Sequence, residues 1–116
     1  MTSYPRDRLR AQLVAIERDL DAALAGCEAA SMRAEAAAEA RIDLAPHLEA
    51  IAESIATIRE VARRGLATLE LVVASVPAGS SLTPSASAWI DRRRREFRSC
   101  IAMADRDRPM ISRPTR

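Results

Sequence analysis

The stretch Arg41-Ile42-Asp43-Leu44-Ala45-Pro46-His47-Leu48 decides the fold, because a seven-residue apolar repeat runs into it and resumes beyond it in the same phase. One row of the repeat is Leu13, Leu20, Cys27, Ala34, Arg41, Leu48, Ile55, Ala62, Leu69 and Val76. Its companion is Leu9, Ile16, Ala23, Ala30, Ala37, Leu44, Ile51, Ile58, Gly65 and Val72. Only Arg41 and Gly65 break the two rows, which form a helical seam made to be buried against other helices. Unbroken phase across Pro46 admits one kinked helix of about 70 residues, but globular helices average about 11. In the other reading Asp43 caps a new helix and Pro46 sits in its first turn, where a missing N–H is harmless. Residues 42–46 are then a bend. The apolar stripe also spills onto Leu24, Ala38, Ala45, Ala52, Leu66 and Val73. Three apolar positions in seven suit a packed bundle better than a two-stranded coil. The sequence predicts a hairpin over residues 6–76.

Outward from the bend, residues 1–5 read as a frayed N-terminus, with Pro5 able to open the first helix. Around Ala29–Ala40 that helix is almost all Ala, Glu and Arg, the strongest helix formers. On the other side the second helix ends at Pro77, and residues 77–83 form a loop. Thr83 followed by Pro84 reads as a cap and first helical residue, so a third helix is expected over 84–104. At helical spacing Trp89, Ile90, Phe97, Cys100, Ile101 and Ala104 share its apolar face. Arg92, Arg94, Arg95 and Arg98 spread over the other. Beyond Ala104 the periodicity stops, and 105–116 reads as a disordered tail.

The fold class is therefore all-α: a long, coiled-coil-like antiparallel hairpin with a shorter third helix. The side chains expected at helix interfaces are Leu13, Ile16, Leu20, Leu48, Ile51, Ile55, Ile58, Leu69, Val72, Trp89 and Phe97. Around the bend, Ala30, Ala34 and Ala37 should meet Ile51, Ile55 and Ile58. Ala23, Cys27, Ala62 and Gly65 would leave a thin waist. A mid-helix Gly implies a bulky group against the backbone, and only Trp89 and Phe97 are rings large enough to fill that gap. Arg93 falls inside the apolar sector, so it must reach solvent or find a carboxylate. Arg41 could lay its stem over the seam and its head in water.

Among 116 residues, 24 are Ala, while Phe, Tyr and Trp occur once each. Burial returns only ~25 cal/mol per Å², so alanine faces leave little surplus over chain entropy. Self-association into an oligomeric bundle is the expected remedy. All 18 basic residues are Arg, a usage that fits GC-rich coding in a bacterium or phage. Residues 1–82 hold 9 Arg and 12 acids, whereas 83–116 hold 9 Arg and 4 acids, so the basic character lies at the C-terminal end. No signal peptide is expected, since Met1–Arg10 is charged and lacks an apolar core. No membrane span is expected either, since the longest apolar stretch, Leu71–Val76, is interrupted by Ser75 and too short. Cys27 and Cys100 read as small buried hydrophobes in a reducing cytoplasm, with a disulfide between helices one and three as the lesser alternative.

Reactive chemistry is not signalled. His47 is the single histidine, and no metal spacing, phosphate loop or nucleophile elbow accompanies it. Glu35/Glu39 and Glu49/Glu53 read as a solvated face pairing with Arg. No catalytic, metal or cofactor residue is expected, and no small-molecule substrate. The run Asp91-Arg92-Arg93-Arg94-Arg95-Glu96-Phe97-Arg98 is the one functional-looking motif. Asp91 could pair with Arg95, and Arg92 with Glu96, leaving a solvated, partly neutralised face. Alternatively Arg92, Arg94, Arg95 and Arg98 bind a polyanion such as nucleic acid. A third reading has Trp89, Ile90 and Phe97 dip into an anionic membrane surface. The leading expectation is a non-enzymatic structural or adaptor protein working through helix–helix self-association and a protein partner. The second is a nucleic-acid-associated accessory protein of a phage or mobile element.

Overall fold

A computed structural model describes the backbone of residues 4–77, 79 and 82–112, and most side chains between 8 and 106. Three helices account for it: α1 (Tyr4–Glu39), α2 (Ala45–Ala74) and α3 (Pro84–Ser112). No strand occurs among the described residues. The long axis is 62 Å, against 24 and 19 Å across, which fits a 36-residue α1 of about 54 Å at the usual helical rise.

Each helix end has a local cause. At the end of α1, Arg41 adopts φ +58°, a left-handed conformation. Its N–H donates to Ala38 O at 3.2 Å, and the Ile42 N–H donates to Ala37 O at 2.8 Å. These two bonds are the six-to-one and five-to-two pattern that satisfies a helix's last carbonyls, usually with Gly in the left-handed position. The reversal therefore begins at Ala40, two residues before the expected bend, and Arg41 is exposed at its corner rather than laid along the seam. On the far side the N-cap is Leu44 and not Asp43, and no side chain caps the helix. Asp43 Oδ1 accepts from the Ala45 N–H at 3.1 Å in the turn before it, and Pro46 occupies the first turn of α2. At α3 the Ala86 N–H donates to Thr83 Oγ1 at 3.2 Å, with Pro84 as the first helical residue.

The helices run up, down and up. Arg64 meets Asp19 at 3.1 Å, aligning α1 with α2. Arg94 meets Glu70 at 2.8 Å, and Arg59 meets Asp105 at 3.2 Å, aligning α2 with α3. Among the described residues α2 alone approaches both partners closely, and no α1 backbone comes within 8 Å of α3. The third helix is longer than the periodicity implied. It passes Ala104 and continues to Ser112, with Asp105 paired to Arg59 of α2 just beyond the last apolar position. Residues 1–3 and 113–116, in the expected frayed N-terminus and tail, lie outside the described residues.

One continuous core joins Leu13, Ile16 and Leu20 of α1, Ile58, Val61, Ala62 and Leu69 of α2, and Ile90 and Phe97 of α3. Val72 and Trp89 pack half-buried on its edge, as do Ala23 and Cys27. A Cβ added at Gly65 would fall 2.5 Å from Cε1 and Cζ of Phe97. The missing side chain of Gly65 is thus the space that Phe97 fills. Trp89 lies two turns away and is not the ring at the waist. Ile58 belongs to this core, which the alanine tract near the bend does not join. That correction follows from the earlier reversal, which slides α2 against α1. Nearer the turn the buried apolar side chains are Ala30, Ala37 and Ile55, with Ile51 half-buried. Leu48, expected at an interface, is 45% exposed there.

Candidate functional site

The arginine run sits midway along α3, where the helix is held to both neighbours. The apolar face turns inward: Ile90 and Phe97 are buried and Trp89, Cys100 and Ile101 are half-buried. Arg93 lies within that apolar sector, on the side toward α1, and Arg94 lies on its margin toward α2. Arg93 crosses to α1, where its Nε lies 2.7 Å from Glu17 Oε2. Both atoms are shielded from solvent and lack an aligned hydrogen bond, so the contact is an ion pair held by charge. Its Nη1 donates to Glu96 Oε2 at 3.0 Å, and its guanidinium lies 5.7 Å from the Trp89 ring centroid, within cation–π range. The carboxylate that an inward Arg93 requires is therefore Glu17, a residue the sequence alone did not single out.

Arg94 leans the other way, onto α2. Its Nε and Nη2 donate to the two carboxylate oxygens of Glu70 at 2.8 and 3.1 Å, the bidentate fork that Arg is shaped to make. Asp91 adds a third contact at 3.5 Å. Hydrogen bonding by Arg94 holds the Glu70 carboxyl below the usual carboxylate range, with further help from the charge of Arg98. The same pairing raises the Arg94 guanidinium. Burial pushes the Cys100 thiol upward, and the nearby Glu96 charge adds to the effect. Cys100 is a free thiol, so helices one and three are not joined by a disulfide to Cys27.

The ion pairs differ from those expected at four-residue spacing. Asp91 pairs with Arg94 and Glu96 with Arg93, each three apart. The partly desolvated inward arginines gain more from a carboxylate than fully solvated ones do. Arg94 is consequently committed within the chain. Arg92, Arg95 and Arg98 are exposed, and no salt bridge engages them among the described residues. The geometry also removes the apolar side chains that a membrane-dipping face would need, because Ile90 and Phe97 are spent on the core.

Elsewhere, a groove of about 610 Å³ lies between the end of α2 and the start of α3, with Val72, Val76, Leu82 and Trp89 in its wall and Arg10 at its edge. No group of three or more His, Cys, Asp or Glu that could hold a metal ion occurs among the described residues. No described helix is long and apolar enough to cross a membrane. No protein-family model matches the chain, and no curated protein or solved structure matches it significantly.

Proposed function

We propose that this all-helical protein is a non-enzymatic structural or adaptor module that acts by helix–helix contact, first with a second copy of itself and then with a protein partner. The observation that carries this reading is the apolar surface around the hairpin turn. Met32 is 64%, Ile42 57% and Leu48 45% exposed, and all three lie within ten residues of the turn. The buried apolar side chains beneath them are two alanines and Ile55, a thin core that gains from any surface laid over it. Closed two-fold pairing places the same patch against itself and is the commonest way to bury such a surface. Mass in solution tests the proposal. A dimer or larger species is expected, with a melting temperature that rises with protein concentration. Leu48→Gln combined with Met32→Gln should dissociate it and leave the helical content of the monomer intact. A monomer at high concentration with a concentration-independent melt would reject the reading.

A further inference from the structure

We infer that the outer face of α3 is a docking surface for the phosphate backbone of a nucleic-acid duplex, formed by Arg92, Arg95, Arg98 and Arg106. The argument rests on how charge is divided between the two sides of this helix. Between Pro84 and Arg106 the sequence holds six arginines and three acids. Each acid has an arginine partner other than the outward four: Asp91 and Glu96 pair along the helix with Arg94 and Arg93, and Asp105 pairs with Arg59 of α2. The exposed carboxylates of Asp91 and Glu96 lower the charge beside Arg95 and Arg92, but six arginines against three acids still leave this stretch at +3. Arg92, Arg95, Arg98 and Arg106 are all exposed, and none forms a salt bridge among the described residues. Arg98 does feel Glu70, but both oxygens of that carboxylate are already held by Arg94.

The four side chains form a track and not a ring. At the helical repeat, Arg92, Arg95, Ser99, Ala102 and Arg106 fall within a sector of about 80°, with Asp91 and Arg98 on its flank. The track is about 21 Å long from Arg92 to Arg106, over which each strand of a duplex presents a phosphate every ~3.4 Å of axis. Planar guanidinium forks suit phosphate oxygens. Ser99 and Ala102, the uncharged members of the sector, let the helix approach a rigid backbone closely. The same smallness argues against a lipid surface, since nothing in the sector can insert between acyl chains.

Fluorescence anisotropy of the full chain on a random-sequence duplex, measured across a salt series, tests the inference. Four phosphate contacts at about 0.9 each give a log–log slope near −3.6, so affinity should fall roughly a hundredfold between 50 and 200 mM salt. In R92Q/R95Q/R98Q one contact remains, and the fall should shrink to about threefold. R92K/R95K/R98K should restore the slope, and an unchanged melting temperature in both variants keeps folding out of the comparison. Arg33→Gln, which removes an exposed arginine of α1, should leave the slope unchanged. No binding at 20 mM salt would overturn the inference, as would a slope indifferent to the triple Gln variant. Stronger binding to phosphatidylserine vesicles or to polyglutamate than to duplex would overturn it as well.

Discussion

The two ends of this molecule are built on the same seven-residue repeat and filled in opposite ways. At the end where all three helices meet, Leu13, Ile16, Leu20, Ile58, Leu69, Ile90 and Phe97 share one closed core. Around the hairpin turn the same seam positions hold Ala30 and Ala37, and larger apolar groups such as Met32 and Leu48 lie exposed. The repeat decides where helices touch, whereas side-chain volume decides how much that contact is worth. A seam of alanines sets a close approach of two backbones but excludes little water. Most of the folding free energy should therefore reside at the three-helix end.

The largest expected effect breaks that end directly. Phe97→Ala should lower stability by about 3–5 kcal/mol in urea denaturation, as truncation of a buried aromatic does. A loss below about 1 kcal/mol would mean that α3 contributes little to the core. Next is Gly65→Ala, where two effects oppose each other. Alanine gains up to about 1 kcal/mol of helix propensity, but its Cβ would sit 2.5 Å from the Phe97 ring. Overpacking typically costs about 1–3 kcal/mol, and at so short a distance it should win, giving a net loss near 2. Combining Gly65→Ala with Phe97→Leu should recover part of that loss.

At the turn the expected change has the opposite sign. Arg41 holds a left-handed backbone at a cost of about 1–2 kcal/mol. Gly there relieves it but loses roughly 0.4–1 kcal/mol to the freer unfolded chain. Arg41→Gly should therefore raise stability by about 0.5–1 kcal/mol, seen as a higher denaturation midpoint at constant slope. The smallest effect is on pH dependence. Because the folded Glu70 carboxyl is held below its ordinary value, its contribution is present above the usual carboxylate range and lost as pH falls through the folded value. Glu70→Gln should flatten the acid limb of a stability–pH curve slightly, and an unaltered limb would show that solvent screens the Arg94 pairing completely.

Much of this fold can be read from spacing and from a few punctuating residues. The two apolar rows give the seam, Asp43 and Pro46 mark the start of α2, and Thr83 with Pro84 marks the start of α3. Gly65 announces that something bulky lies against it. Which ring that is cannot be read, because Trp89 and Phe97 share one face and the sliding of α3 along α2 is set by Arg94–Glu70 and Arg59–Asp105. The arginine run shows the same limit. A helical wheel separates inside from outside, but the fate of the marginal residues depends on which neighbour each edge meets. On the wheel Arg94 faces outward, yet it is bound to Glu70, and Arg106 lies beyond the last apolar position, where the periodicity assigns no face. The left-handed Arg41 left no sign, since that conformation is ordinarily marked by Gly.

The central place of α2 has a consequence for how the chain comes together in time. Each close backbone pairing joins helices adjacent in sequence, α1 with α2 and α2 with α3, so the distant contact of Arg93 with Glu17 can follow once both pairings have formed. Topologies dominated by local contacts fold in about microseconds to milliseconds. During synthesis α1 has nothing to pack on until α2 emerges, and the hairpin can then close before the arginines of α3 have been made. Of the three helices, the basic one is the last to find its place, and it arrives on a surface that is already assembled.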